Sequence, residues 1–223
     1  MKGEPINTLR RIATRDNGEP LVDLRKFCPW IVIDKDSLGK RRMRTEGSVK
    51  VRKTAARMLS HAHKKLPKGL TFKVQDAWRP INVQRQYYFK ALTNMKEAHP
   101  KWSASRLRRE LNVWIFPPDA GSPPWHSTGG AIDLTLCRSD GRSLPLGGKT
   151  QPPPPRVAKY RMLLKRVMED AGFTHYAAEQ WHFSYGDTGW ALRTGRKTAI
   201  YGTVPHSDAR GGNPGLAQKN SRP

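Results

Sequence analysis

The chain has 223 residues, of which 36% are hydrophobic, and this length and composition suit one domain with a single core. Its formal net charge at pH 7 is +23, with the basic excess concentrated in the first half of the chain. It contains no apolar run long enough to cross a membrane and no signal-peptide pattern near residue 1, so the sequence predicts a cytoplasmic protein.

A helix, a strand and a second helix are predicted in the first half of the chain. Residues 47–66 carry apolar side chains at helical spacing, namely Val51, Ala55, Met58, Leu59, Ala62 and Leu66. Residues 70–74 alternate between apolar and polar side chains, as a strand does. Pro80 suits the first turn of a helix over residues 81–98, so we expect Arg79 at the junction between strand and helix.

Two more helices and a functionally important strand are predicted in the second half. Ser103 suits the N-cap of a helix over residues 103–113, and residues 157–171 repeat the helical pattern. Residues 131–136 alternate, so that Asp133 lies on the face opposite to three apolar neighbours, Ile132, Leu134 and Leu136.

These elements divide the chain into three parts. Residues 1–20 form an N-terminal extension, residues 21–204 form one folded domain, and residues 205–223 form a basic tail that we expect to be disordered because it lacks hydrophobic periodicity. The domain is expected to be α+β, with a small, mainly antiparallel sheet covered by helices.

Two short segments contain the residue types of a zinc hydrolase site. His126 precedes a Thr-Gly-Gly turn that can fold it back beside Asp133, and Glu179 and His182 follow later in the chain. A catalytic zinc takes three nitrogen or oxygen ligands and leaves one position for water, and His126, Asp133 and His182 could supply those ligands. Glu179 would then be near enough to take a proton from the water. In a regular strand Glu179 and His182 would face opposite ways, so Glu179 is expected at an irregular strand entrance.

The order of these motifs resembles the D-alanyl-D-alanine dipeptidase family of zinc peptidases, whose relatives include D,D-carboxypeptidases, phage peptidoglycan endopeptidases and the hedgehog fold. The shared motifs are Gly-x-Ala-x-Asp ending at Asp133, Glu-x-Trp-His ending at His182, and Trp-Arg-Pro around Arg79. The resemblance implies that His126, Asp133 and His182 bind Zn²⁺, that Glu179 is the catalytic base, and that Arg79 stabilises the oxyanion. Residues 21–204 would then be the catalytic domain.

Two departures from the family pattern are visible. Pro124 stands two residues before His126, where the family usually has serine. The family's Asp-Met-Gly-x-x-Phe-Asp segment, whose acidic group is expected to hold the free ammonium of the substrate, corresponds here to residues 144–155, which contain no carboxylate. Because an unpaired buried ammonium is costly, strict recognition of a free dipeptide would need a carboxylate elsewhere, such as Asp140 or Asp119.

Three functions stay open from the sequence. The first is hydrolysis of D-Ala-D-Ala. The second is the activity of a zinc D,D-carboxypeptidase or endopeptidase that acts on longer peptidoglycan stem peptides. This second function would allow action in the periplasm or at the cell wall. The third is a non-enzymatic domain that binds a polyanion through its basic surface. The presence of Glu179 and Arg79 argues against this third function, because a structural zinc needs neither. A weak polyanion contact and the oligomeric state also stay open.

Overall fold

The computed structural model describes residues 3–34, 49–146 and 153–205. The helices are α1 (Ile6–Arg11), α2 (Leu24–Phe27), α3 (Lys53–Lys64), α4 (Ile81–Ala98), α5 (Ala104–Leu111), α6 (Pro155–Glu169) and α7 (Thr188–Arg193). The strands are β1 (Ala13–Thr14), β2 (Leu21–Asp23), β3 (Val32–Ile33), β4 (Lys50–Arg52), β5 (Leu70–Asp76), β6 (Ala131–Arg138), β7 (Thr174–His175), β8 (His182–Ser184) and β9 (Thr198–Ala199). A 3₁₀-helix covers Trp125–Thr128.

The central sheet has five strands in the order β3-β5-β6-β8-β7. β3 runs parallel to β5, and every other neighbouring pair in this sheet is antiparallel. Two further pairs of strands lie outside it, with β2 antiparallel to β4 and β1 parallel to β9. The α+β class and the mainly antiparallel sheet that the sequence predicts are therefore confirmed.

One face of the sheet forms the main hydrophobic core with α3 and α6. The strands contribute Phe72, Val74, Ile132, Leu134, Leu136 and Phe183, and the helices contribute Ala55, Leu59, Ala62, Leu164, Val167 and Met168. Full burial stabilises the fold by about 1.5–3 kcal/mol for each large apolar side chain. The alternation of β6 thus fixes which face of the sheet is apolar, and it directs Asp133 to the other face.

The helix predicted over residues 47–66 begins later than expected. α3 starts at Lys53, and Lys50–Arg52 form strand β4, which pairs with β2. Residues 47 and 48 lie outside the described residues. The other predicted helices begin and end close to their expected limits, and the Ser103 side chain accepts a hydrogen bond from the Arg106 amide, as an N-cap does.

The segment predicted as an N-terminal extension packs onto the domain from residue 3 onward. Leu9 of α1 is fully buried, and Asp16 forms an ion pair with the buried side chain of Arg52. Most of the predicted tail, residues 206–223, lies outside the described residues. Among the residues that are described, no helix has the length and apolar character needed to cross a bilayer.

Candidate active site

Two strands and the 3₁₀-helix bring the predicted metal ligands together on the polar face of the sheet. Asp133 on β6 lies opposite His182 on β8, and His126 belongs to the 3₁₀-helix that precedes β6. Asp133 Oδ1 lies 3.3 Å from His126 Nε2 and 2.9 Å from His182 Nδ1. One ligand atom from each of the three residues falls within 4.8 Å of the others. The three side chains therefore form one group that could hold a metal ion.

Two glycines shape the turn that carries His126 back to Asp133. Gly129 has a φ of 74°, in the left-handed region that favours glycine. Gly130 follows, and its Cα lies close to the backbone of Tyr185. A Cβ atom at Gly130 would lie 2.1 Å from the carbonyl oxygen of Tyr185. The Thr-Gly-Gly turn expected from the sequence thus has a steric requirement for glycine at both positions.

Hydrogen bonds orient the two histidines towards Asp133. His126 Nδ1 donates to the carbonyl oxygen of Ala77 at 2.8 Å, so its Nε2 is the nitrogen beside Asp133. His182 Nε2 lies 3.1 Å from Ser184 Oγ, so its Nδ1 is the nitrogen beside Asp133. Each ring therefore presents one nitrogen to the group while its other nitrogen is fixed by a second partner, as is usual for metal-binding histidines.

The electrostatics of this group suit a divalent cation. Burial lowers the pKa of His182, although its hydrogen bond to Asp133 opposes this effect. Burial alone would raise the pKa of Asp133, but the charges and hydrogen bonds of His126 and His182 outweigh it and hold the pKa well below its usual range. A neutral imidazole and an ionised carboxylate are the forms that bind metal. Two nitrogens and a carboxylate, without a thiolate, fit the ligand set of a catalytic zinc.

Glu179 lies in the turn before β8, outside the regular strand. This position agrees with the expectation that a residue three positions before His182 can share its face only if the backbone there is irregular. Its amide donates to the carbonyl oxygen of Tyr176 at 3.0 Å, and its carbonyl oxygen accepts from the amide of His182 at 3.1 Å. This turn brings Glu179 Oε2 to 3.7 Å from His182 Nδ1. The carboxylate is thus close enough to the proposed ligand atoms to reach a water bound among them.

Arg79 lies between β5 and α4, as the sequence predicts, and its guanidinium is held on several sides. Nη2 donates to Asp76 Oδ2 at 2.5 Å, and Nη1 donates to Gln84 Oε1 at 2.6 Å. The guanidinium carbon also lies 5.1 Å from the centre of the Tyr87 ring. These contacts hold the planar guanidinium group of Arg79 in one orientation, and a group that stabilises an oxyanion needs such a fixed orientation.

Arg79 is buried beside two of the other candidate residues. Burial lowers the pKa of its guanidinium, and the negative charges of Asp133 and Glu179 oppose this effect. A β-bulge between Val74 and Asp76 shifts the register of β5 and places Asp76 opposite Asp133 in the sheet. The backbone irregularity therefore brings the partner of Arg79 next to the candidate metal ligands.

Three residues that hold the site in place were not predicted from the sequence. Ser184 lies two residues after His182 in the same strand, and this spacing could have identified it because alternate strand residues share a face. Gln84 and Tyr87 contact Arg79 from α4. Their positions follow from how α4 packs, so only the position of Arg79 just before the helix could have suggested them.

The five predicted site residues line one cavity of about 280 Å³. Aromatic side chains form much of its wall, and Glu4, Ile6 and Leu9 reach it from the N-terminal segment. Pro124, which stands where the family usually has serine, also lines the cavity.

Asp119 and Asp140, the two carboxylates that could replace the acidic group missing from residues 144–155, lie outside the cavity. Asp119 pairs with Arg108 and Asp140 pairs with Arg142, and neither aspartate lines this cavity. Residues 147–152, the middle of the segment that lacks a carboxylate, lie outside the described residues.

A family model described as D-ala-D-ala dipeptidase matches residues 31–198. A D-alanyl-D-alanine dipeptidase of Synechocystis sp. is 27% identical over 244 residues, which cover 90% of this chain and 98% of that protein.

Solved structures of vancomycin resistance peptidases are more distant. VanYB in complex with D-alanine-D-alanine is 13% identical with a TM-score of 0.46, covering 68% of this chain and 81% of that one. The D,D-dipeptidase VanXYg in complex with a phosphinate analogue of D-Ala-D-Ala is 17% identical with a TM-score of 0.41, covering 85% of this chain and 69% of that one.

Proposed function

Because the chain belongs to the D-ala-D-ala dipeptidase family, we propose that it hydrolyses D-Ala-D-Ala in the cavity lined by His126, Asp133, His182, Glu179 and Arg79. The observation that carries this proposal is that all five side chains line the same cavity. Family membership confirms the predicted enzyme class, a metallopeptidase. Together with the His–Asp–His group it also confirms the prediction of a zinc cofactor.

His126, Asp133 and His182 would hold the zinc through His126 Nε2, His182 Nδ1 and the Asp133 carboxylate. When bound, zinc supplies a Lewis acid that lowers the pKa of water to about 7 and polarises a carbonyl group. The hydrogen bonds from His126 to Ala77 and between His182 and Ser184 keep the two rings in place for this role.

Glu179 is the proposed general base. Its carboxylate accepts the proton of the attacking water and later returns it to the amine that leaves from the peptide bond. Arg79 is proposed to donate hydrogen bonds to the oxygen that becomes negatively charged as the water adds. Because Asp76 and Gln84 fix the guanidinium before substrate binds, little reorganisation is needed when this charge develops.

The test compares variants that keep the metal ligands. Glu179→Gln should retain zinc and lose at least about 100-fold in kcat, the scale expected for loss of a general base. Arg79→Ala should lose a similar factor through the oxyanion. Glu169→Gln, which removes an exposed carboxylate at the end of α6, is the matched control and should behave as wild type. Turnover close to wild type in zinc-loaded Glu179→Gln would rule out the proposed role of Glu179.

A second candidate activity is removal of the terminal D-alanine from longer peptidoglycan stem peptides. It is favoured by the segment 144–155, which offers no carboxylate for the ammonium of a free dipeptide. The basic residues of the chain would also attract the anionic polymers of a cell wall, through a contact that weakens as salt is added. Comparing kcat/KM for D-Ala-D-Ala and for a stem peptide ending in D-Ala-D-Ala distinguishes the two substrates.

A further inference from the structure

Arg52, the last residue of β4, binds two consecutive carbonyl groups of the turn that carries His126. Its side-chain Nε donates to the carbonyl oxygen of Thr128 at 2.8 Å, and its backbone amide donates to the carbonyl oxygen of Gly129 at 2.9 Å. Only 4% of the Arg52 side chain is exposed. Thr128 belongs to the same 3₁₀-helix as His126. Arg52 is therefore attached directly to the element that carries a proposed metal ligand.

The 3₁₀-helix Trp125–Thr128 depends on other segments for its place in the fold. A 3₁₀-helix has poorer hydrogen-bond geometry than an α-helix, and a helix leaves its last carbonyl groups without partners of its own. The carbonyl oxygen of Ser127 accepts from the amide of Val204 at 2.9 Å, and that of Thr128 accepts from Arg52. Of these two donors, Arg52 provides the one that belongs to a side chain, so a substitution can remove it.

All five N–H donors of the Arg52 guanidinium are used. Besides the bond to Thr128, Nη1 donates to the carbonyl oxygen of Glu19 at 2.5 Å and to Asp16 Oδ1 at 3.3 Å. Nη2 donates to Asp16 Oδ2 and, at 3.3 Å, to the carbonyl oxygen of Gly202. Arginine holds its donors in a rigid planar fork, so these acceptors are fixed relative to one another. Arg52 therefore joins residues 16–19 and residue 202 to the 3₁₀-helix.

Strand β4 also holds the segment that orients the His126 ring. The carbonyl oxygen of Lys50 accepts from the amide of Trp78 at 2.8 Å. The preceding residue, Ala77, accepts the hydrogen bond of His126 Nδ1, and the following residue is Arg79. A shift of β4 would therefore displace both the helix that carries His126 and the acceptor that orients its ring.

We propose that Arg52 is a positioning residue for the zinc site, which fixes the place of His126 by holding the carbonyl oxygen of Thr128. This role rests on the proposed function in one respect, namely that the site binds zinc. Loss of a group that orients a metal ligand weakens metal affinity by about 10- to 100-fold. Because Arg52 acts through the backbone of the helix and not on the ring itself, we expect an effect of about 10-fold, at the low end of this range.

Arg52→Met tests the proposal, since it removes the guanidinium and keeps an unbranched side chain. Zinc affinity, measured in competition with a chelator, should fall by about 10-fold. The visible absorption of the Co²⁺-substituted protein should also change, because displacement of His126 alters the geometry around the ion. Asp16→Asn removes the ion pair of Arg52 but keeps its contact with Thr128, so it should lower the free energy of unfolding and leave zinc affinity and the Co²⁺ spectrum unchanged.

Two outcomes would overturn the proposal. One is an Arg52→Met protein with the zinc affinity and Co²⁺ spectrum of wild type, and the other is an Asp16→Asn protein that loses as much zinc affinity as Arg52→Met. Arg25→Met is a further control and should behave as wild type, because the Arg25 side chain donates only to Asp23 among the described residues.

A second variant covers the case in which Arg52→Met fails to fold. Arg52→Lys keeps a positive charge for Asp16, but one ammonium group cannot reach all the acceptors that the fork holds. Zinc affinity should therefore fall in this variant as well, and an affinity and Co²⁺ spectrum equal to those of wild type would contradict the proposal.

Measurement of hydrolysis on the same samples distinguishes failure of this proposal from failure of the proposed function. Zinc affinity that depends on Arg52, in a wild-type protein that does not hydrolyse D-Ala-D-Ala, would support the positioning role and contradict the peptidase function. Hydrolysis by a wild-type protein whose zinc affinity does not depend on Arg52 would do the reverse. A wild-type protein that binds no zinc would overturn both proposals.

Discussion

Replacement of Asp76 by asparagine tests whether the buried ion pair with Arg79 supports both the fold and the site. The side chains of Asp76 and Arg79 are only 1% and 8% exposed, so water cannot replace the lost charge. Removing one partner of a buried pair costs about 3–5 kcal/mol. Gln84 and the charges of Asp133 and Glu179 remain near Arg79, so we expect the low end of this range. For a domain of this size, about 3 kcal/mol corresponds to a decrease in Tm of roughly 6–12 °C.

The assay is urea unfolding of the metal-free protein, since bound zinc would add its own stabilisation. Asp140→Asn is the control, because Asp140 forms a similar contact with Arg142 at the exposed surface, and it should leave the free energy of unfolding unchanged. In an Arg79→Met background Asp76 is itself left unpaired, so the Asp76→Asn change should no longer destabilise the protein and should restore part of the stability that Arg79→Met removes. If Asp76→Asn is as stable as Asp140→Asn, the buried pair of Asp76 and Arg79 does not stabilise the fold.

Two other predictions concern histidines. Ser184→Ala removes the hydrogen-bond partner of His182 Nε2. It should weaken zinc affinity, measured in competition with a chelator, by about 10- to 100-fold. An unchanged affinity would show that Ser184 does not orient the His182 ring. Burial and neighbouring positive charges lower the pKa of His175 to about 4, so the unfolded chain takes up a proton near pH 6.5 that the folded protein does not. The free energy of unfolding should therefore fall by at most about 3 kcal/mol between pH 6.5 and pH 4. In His175→Gln this part of the decrease should be absent, and parallel pH profiles for the two proteins would contradict the assignment.

Local sequence patterns were sufficient to predict the strand and the turns that carry the candidate metal ligands. The alternation of apolar and polar residues around Asp133 predicts both faces of β6. The apolar residues belong to the core, so Asp133 must lie on the opposite face. The turn at Gly129 and Gly130 and the spacing of Glu179 and His182 are also local. These features allowed the group of candidate ligands to be predicted without knowledge of the complete sheet.

Contacts between distant segments could not be read in this way. The sequence pattern predicts the start of a helix where β4 lies, because the pairing of β4 with β2 depends on residues about thirty positions earlier in the chain, with Val22 opposite Val51. Glu4 was placed in an extension, although its side chain meets Arg193 near the other end of the described chain. Nothing in the composition of residues 1–20 indicates that this segment forms a wall of the cavity. Such a role depends on tertiary packing.

Titration of the metal-free protein with zinc, followed by release of D-alanine from D-Ala-D-Ala, tests whether His126, Asp133 and His182 form a zinc-dependent peptidase site. We expect hydrolysis to be absent without metal, to rise with added zinc and to stop rising at one zinc per chain. The His126→Ala, His182→Ala double variant should gain no activity at any point of the titration. Full hydrolysis by the metal-free protein, or an equal gain of activity by the double variant, would contradict a zinc-dependent peptidase site at His126, Asp133 and His182.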